Sequence, residues 1–290
     1  RSPACSMGKG GKAIIVTNHI LITNDDGAAA SGLGTLARAL QAVGQVTVIA
    51  PERNWSASGH SKTMRNPLRA DPGELPDGIP ALITNGSPTD AIALGLMGLA
   101  EQPVHLVVTG INIGANLGND VTYSGTVTAA IEATIAGVPA IAISLDSRDK
   151  HADTRVAASF AAQLARIVLA RGLPPKTLLN VNVPLAPLAS LRGVRITRMG
   201  TRIYHDELIR QLDPYGTPFF WIGGHPPDGL QEFGTDIWAL SEGYISVTPI
   251  QLDFTAYKAI EQLRNWGIEG GFSNDSQGML SLNAVEGILS

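Results

Sequence analysis

From His19 onward, short β-branched runs alternate with stretches of helical periodicity, and this alternation restricts the chain to a parallel sheet covered by helices on both faces. Strands are predicted over residues 20–23, 46–50, 81–84, 106–109, 140–145 and 178–183, and helices over 32–43, 89–100, 126–136 and 154–171. Each helix opens near a serine, threonine, aspartate or glycine that could cap it. Connections are short and the order is mostly β-α-β, so the expected fold class is α/β, a Rossmann-like doubly wound sheet. After Pro184 the texture changes. Val194 to Arg198 and Gly243 to Pro249 read as strands of an antiparallel appendage, and residues 204–238 read as an extended hairpin excursion. Phe219, Phe220, Trp221 and Trp238 in that excursion call for a cover, either the core or, as the favoured reading, another subunit. The expected organisation is a disordered leader (1–18), a single α/β domain (19–266) ending in a helix over 253–266, and a flexible or loosely docked tail (267–290).

With 290 residues and 44% hydrophobic content, the chain is long and apolar enough for a substantial core. A net charge of -4 without long charged blocks excludes a polycationic surface for duplex nucleic acid and a basic amphipathic helix for anionic lipid. No apolar run reaches the roughly 20 residues that a bilayer span needs. The single cysteine, Cys5, rules out an intramolecular disulfide and a thiolate metal cluster, which suits a reducing cytoplasm.

The chemistry concentrates where strands end. In Ile22-Thr-Asn-Asp-Asp-Gly27 the adjacent carboxylates Asp25 and Asp26 follow the first strand, and ligands of open α/β sheets bind at that edge. Two neighbouring negative charges repel, so a divalent cation or strong hydrogen bonding must relieve them. Three further polar loops follow strands or open helices: residues 54–63 with Ser58, Gly59 and His60, residues 109–116 with Asn112 between glycines, and Tyr123-Ser-Gly-Thr126. Ser124, Gly125 and Thr126 offer the free amides and positive dipole end of a helix to a phosphate, and Ser58, Gly59 and His60 are secondary candidates for the same cradle. Each piece also has a plain structural reading. Asp-Asp-Gly makes turns, Ser-Gly-Thr makes caps, Asn112 suits a turn, and His60 suits a structural hydrogen bond. Two carboxylates with neutral oxygens form a hard set that selects magnesium, manganese or calcium.

Five motifs in order carry a resemblance: Ile22-Thr-Asn-Asp-Asp-Gly27, Ala50-Pro-Glu-Arg-Asn-Trp-Ser-Ala-Ser-Gly-His-Ser61, Asn85-Gly-Ser-Pro-Thr-Asp90, Thr109-Gly-Ile-Asn-Ile-Gly-Ala-Asn-Leu-Gly118 and Tyr123-Ser-Gly-Thr-Val127. Together they resemble the SurE survival-protein family of nucleotidases, from about His19 to Tyr257. The resemblance implies a metal-dependent phosphatase of nucleoside 5′- and 3′-monophosphates, with short polyphosphate as a further substrate of some members. It also implies metal ligands at Asp25, Asp26, Ser56 and Asn112, and a homodimer or homotetramer built through an extended hairpin and exchanged carboxyl-terminal segments. Trp55 and Ile113 stand where charged or basic residues are more familiar, which makes the expected pocket rim less cationic.

The expected mechanism has Asp25, Asp26 and Asn112 at the catalytic centre, where water activated beside a cation attacks phosphorus. Two rivals remain: a covalent aspartyl-phosphate phosphatase using Asp25, and a non-catalytic nucleotide-binding regulator. A dinucleotide-binding dehydrogenase ranks below both, because carboxylates follow the first strand where a pyrophosphate would need glycines.

Overall fold

The computed structural model describes residues 18–101, 103–266, 269, 272–274 and 280–282. Of the expected leader only Asn18 falls among them, and most of the expected tail lies outside the described residues. Two compact units divide between Leu252 and Asp253, inside the single domain expected over 19–266.

The first unit is built on a nine-stranded sheet. Its strands are β1 (His19–Thr23), β2 (Gln45–Pro51), β3 (Ala70–Glu74), β4 (Pro80–Thr84), β5 (Leu106–Ile113), β6 (Ala140–Asp146), β7 (Thr177–Pro184), β8 (Val194–Ile196) and β11 (Ile245–Gln251). They lie in the order β3-β4-β2-β1-β5-β6-β7-β11-β8. From β4 to β7 every neighbouring pair is parallel. Counting only those six strands, the order is 3-2-1-4-5-6 of a doubly wound dinucleotide-type sheet, with its reversal between β1 and β5.

Alternation along each strand sorts the core into two layers. Ile20, Ile22, Leu106, Val108, Ile141 and Ile143 pack with α1 (Ser31–Gln41) and α4 (Arg155–Arg171) through Leu33, Leu36, Leu40, Ala161 and Ala165. Leu21, Val107 and Ala142 point the other way, to α2 (Pro88–Leu94) and α3 (Gly125–Ile135) through Ile92, Val127, Ala130 and Ala133. The two layers are the physical content of a strand buried on both faces. The helix expected over 89–100 is α only to Leu94, then widens into a π turn over Gly95–Leu99. A Cβ on Gly95 would come within 2.5 Å of Leu21 Cδ2, so this helix approaches β1 at a distance only glycine allows.

The sequence reading needs correction at both sheet edges. The segments expected to form an antiparallel appendage instead extend the main sheet: β11 pairs antiparallel with β7, and β8 runs parallel to β11. Ile245, Ser246, Val247 and Thr248 are all buried, so β11 is an interior strand whose serine and threonine disguise it. Strand β3 was not expected, since Ala-Asp-Pro-Gly-Glu carries no β-branched residue. It pairs antiparallel with β4 at the sheet edge, where a proline without an N–H is tolerated.

The hairpin does form as a separate two-stranded sheet of β9 (Arg202–Leu212) and β10 (Pro218–Gly229). The remainder of the expected excursion is a loop and the short helix α5 (Asp236–Ser241). In the second unit, the helix expected over 253–266 forms as α6 (Tyr257–Arg264), and β12 (Phe272–Asn274) pairs antiparallel with β13 (Leu280–Leu282). No helix among the described residues is long and apolar enough to cross a membrane.

Candidate functional site

Asp25 and Asp26 lie in the turn that leaves β1, and Asn112 lies near the end of β5, so the sheet brings them together at the reversal of strand order. The β5–β6 register shifts between Thr109 and Asn112, a bulge that re-aims the end of β5. Asn24 Nδ2 donates to Gly27 O at 3.0 Å and Ala28 N to Pro51 O at 2.8 Å, which fastens the carboxylate turn to the end of β2.

The two carboxylates have different surroundings. Asp25 is buried beneath the first turn of α3, where Thr126 Oγ1 donates to its Oδ1 at 2.5 Å. A Cβ on Gly125 would lie 2.7 Å from Asp25 Cβ, so glycine is needed for the helix to come this close. Burial raises the Asp25 carboxyl above its ordinary value, while the Thr126 hydroxyl and nearby backbone amides, including those of Thr126 and Gly125, favour the charged form. Asp26 is less buried. Its Oδ1 accepts from Asn54 Nδ2 at 3.2 Å, and among the described residues its Oδ2 accepts only a long hydrogen bond from Ile113 N at 3.4 Å. Burial first and the Asp25 charge second raise the Asp26 carboxyl, against the Ile113 amide, Lys150 and Asn54.

Asn54 also accepts from Ser56 N at 2.8 Å, so one asparagine joins the loop that carries Ser56 to Asp26. Residue-by-residue reading passed over Asn54. Its signal is the Asn-Trp-Ser spacing, in which an asparagine oxygen takes the amide two residues on. Asn112 Nδ2 donates to Gly114 O at 2.7 Å, which holds the amide and leaves its Oδ1 without a hydrogen bond among the described residues. Trp55 N donates to Asp25 O at 2.7 Å, tying the same loop to the first carboxylate. The rim expected to be less cationic recovers a charge, because the Arg53 guanidinium lies 4.4 Å from the Trp55 ring centroid.

The helix start expected to hold phosphate is partly committed. Ser124 Oγ accepts from Val127 N at 3.1 Å as the cap of α3, which leaves its O–H free to donate. The Thr126 hydroxyl hydrogen is spent on Asp25, so Thr126 orients a carboxylate. Gly59 N donates to Tyr123 O at 3.0 Å, and Thr128 Oγ1 donates to Gly59 O at 3.0 Å, which lays the Ser58–His60 turn along α3. His60 pairs with Glu132, 3.1 Å from Oε2, and Lys62 takes the other oxygen at 2.6 Å. Glu132 is eight residues beyond Ser124, roughly 12 Å along the helix, so His60 is clamped to the flank of α3, away from its start.

Five buried side-chain polar atoms have no partner among the described residues: Thr23 Oγ1, Asn24 Oδ1, Trp55 Nε1, Ser58 Oγ and Asn180 Oδ1. Four of these five belong to the turn before Asp25 or to the loop bonded to it. Such atoms cost about 1–3 kcal/mol each unless something arrives to bond them, and their clustering marks a place built for a ligand. A cavity of about 870 Å³ lies elsewhere, lined by Val156, Phe160, Leu185, Leu188 and Leu191. It carries none of these atoms, and the chemistry favours the crevice. No three His, Cys, Asp or Glu side chains converge among the described residues, so a cation here would draw on neutral oxygens beside Asp25 and Asp26. The unengaged Asn112 Oδ1 and the two mutually repelling carboxylates fit a hard divalent ion.

The sequence profile of the family described as Survival protein SurE matches residues 20–206. A 5'-nucleotidase SurE of Chloroflexus aggregans is 48% identical over 249 residues, covering 86% of this chain and 98% of that protein. Another, of Geobacter sulfurreducens, is 49% identical over 250 residues, covering 86% and 94%. The crystal structure of the SurE protein from Aquifex aeolicus superposes with a TM-score of 0.72 at 38% identity, covering 85% of this chain and 98% of that one. A doubly wound sheet with paired aspartates at its reversal point, and likeness of this extent, establish that the chain belongs to the SurE family.

Proposed function

We propose that the protein is a metal-dependent phosphomonoesterase that hydrolyses nucleoside 5′- and 3′-monophosphates to nucleoside and phosphate. The observation that carries this reading is the meeting of Asp25, Asp26 and Asn112 beside the start of α3 at the crevice of the sheet. The printed names of the relatives, 5'-nucleotidase, support the substrate class. Asp25, Asp26, Ser56 and Asn112 would hold one magnesium or manganese ion, with calcium also compatible with the oxygen set. A cation bound there supplies Lewis-acid polarisation of a phosphoryl oxygen and eases deprotonation of the attacking water.

The chain's own residues supply the rest. Ser124 Oγ–H and Ser58 Oγ–H offer donors to the remaining phosphoryl oxygens, and the dipole end of α3 favours their charge. Thr126 favours the charged form of Asp25 against its burial and orients the carboxylate. Asp26, the less buried carboxylate with a weakly held Oδ2, accepts the proton of the attacking water. Arg53 over Trp55 gives the rim a planar cation suited to a nucleotide.

The exposed Leu208, Ile209, Phe220, Trp221 and Ile222 of the hairpin support a homodimer or homotetramer in which a second copy covers them. A lone cysteine agrees with a cytoplasmic location. The test of function is phosphate release from a panel of 5′ and 3′ nucleoside monophosphates and short polyphosphate, with chelator and with each metal restored. Release that persists unchanged in chelator, or no release from any monophosphate, would overturn the proposal, and the second result would favour a nucleotide-binding regulator.

A further inference from the structure

The connection between β5 and α3 is a 3-10 turn over Gly118–Thr122, and its only acidic side chain, Asp120, belongs to none of the interactions described so far. Both of its oxygens are taken by the root of the hairpin. Arg202 Nε donates to Oδ2 at 2.6 Å and Tyr204 Oη donates to Oδ1 at 2.7 Å. The side chains of Arg202 and Asp120 are 16% and 20% exposed, so the pair is shielded from water and its charge-assisted bonds are strong. Arg202 also reaches Pro227 O on β10 at 3.3 Å, so one guanidinium joins both hairpin strands to the turn. Burial and the Asp120 carboxylate push the Tyr204 phenol up to about 12, so it stays a donor throughout the physiological range.

A second anchor holds the beginning of the same turn. Fully buried Asp236 accepts from Gly118 N at 2.8 Å and from Gly200 N at 2.7 Å, joining the turn to the segment that leads into the hairpin. Gly118 has φ +50, and a Cβ there would collide with Gly200 O. Beyond the anchors the lever is short. Tyr123 N donates to Asp120 O at 3.0 Å, and the next residue is Ser124, the cap of α3 at the proposed phosphate site. A shielded ion pair is weak evidence for stability, but it defines a geometry that an apolar contact would leave loose.

We propose that Asp120 is a positioning residue for phosphate binding: clamped by Arg202 and Tyr204, it sets the turn that delivers Ser124 and Gly125 to the substrate. This rests on the reading of the α3 start as the phosphate site. The root of the hairpin then belongs to the substrate-binding apparatus. Of the proposed metal ligands Asp25 alone touches α3, through Thr126, while Asp26 and Asn112 are held by Asn54 and Gly114.

The test measures Asp120→Asn, Arg202→Gln and the double variant as full-length protein. In Asp120→Asn, KM for adenosine 5′-monophosphate and the inhibition constant of inorganic phosphate should each rise about tenfold, with kcat within about threefold. Manganese affinity by calorimetry should match the parent, and the double variant should be no worse than the poorer single one. A merely structural role would weaken manganese and phosphate together, and that result, or unchanged phosphate affinity, overturns the proposal. Should Asp120→Asn fail to fold, Tyr204→Phe removes one hydrogen bond and should raise the phosphate constant by about threefold. If the parent releases no phosphate, the nucleotidase reading fails, and calorimetric binding of inorganic phosphate to parent and variant still decides the clamp. Equal binding by the two, or none by the parent, overturns it.

Discussion

The crevice between β1 and β5 and the β9–β10 hairpin break opposite rules of protein surfaces. In the crevice, polar groups such as Asp25, Asn24 and Thr23 are buried, and two of their atoms, Thr23 Oγ1 and Asn24 Oδ1, lack partners among the described residues. On the hairpin, apolar side chains such as Trp221 and Ile222 are exposed, at 58% and 84%. Each arrangement is unfavourable for an isolated chain, and each is relieved by a different kind of ligand. Buried oxygens call for a cation and the anion it attracts, whereas exposed aromatics call for another apolar surface. On the proposed reading one fold carries a chemical site and an assembly site, joined through Asp120, Arg202 and Asp236.

The comparison is tested most severely at the carboxylates. Asp25→Asn or Asp26→Asn should lower phosphate release by about 10³-fold or more, since an anionic ligand and its stabilisation of the transition state are lost. Near-normal steady-state rates in either variant would remove the crevice from the chemistry. A smaller geometric change should also register. In Gly125→Ala the new methyl must displace Asp25, and kcat/KM should drop about 100-fold, in line with the cost of an ångström of misplacement.

The raised carboxyls of Asp25 and Asp26 set a pH dependence. Because the folded state holds these protons more tightly than the unfolded state, the contribution of the two carboxyls to stability without metal is greatest below the ordinary carboxylate value of 3.8. It falls as pH rises from there through the raised native values, and then levels. Added manganese should reverse the loss only above that window, by about 2.7 kcal/mol at a hundredfold excess over Kd. Thermal unfolding with chelator and with manganese across pH checks this, and equal stabilisation at acid and neutral pH would contradict it.

The hairpin half is probed by Trp221→Ala, which should weaken self-association by about 2 kcal/mol, or 30-fold, in analytical ultracentrifugation, with manganese affinity retained. An unaltered oligomer would show that the exposed aromatics serve something else. Smallest of all, Ser124→Ala should lower stability by about 1 kcal/mol in chemical denaturation through the lost helix cap. A KM that also rises would reveal the free hydroxyl as a phosphate donor, and an unchanged KM would confine it to capping.

Much of this was legible before any coordinates. Short apolar, β-branched runs predict the six parallel strands, because a strand buried on both faces must be apolar throughout and must end at polar turns. The residues around Asp25, Asn112 and Ser124 stood out because each falls at such an end. Strand β3 was hidden because a sheet edge tolerates Pro72 and Gly73. Strand β11 was placed in the wrong sheet because Ser246 and Thr248 satisfy their hydroxyls on Thr197, a partner about fifty residues away.

By itself, then, the sequence determined the α/β class, the positions of the strand ends and the oxygen chemistry of Asp25, Asp26 and Asn112. Those depend on local periodicity and on residue type. Only the tertiary structure decided the strand order that brings β1 beside β5, the Asn54 link from Asp26 to Ser56, and the pairing of His60 with Glu132 rather than with the helix start. It also decided that Thr126 serves Asp25 across 101 residues of chain and that Asp120 is gripped by a hairpin 82 residues on. Hydrogen bonds of that span follow from how the sheet closes and leave no periodic trace along the chain.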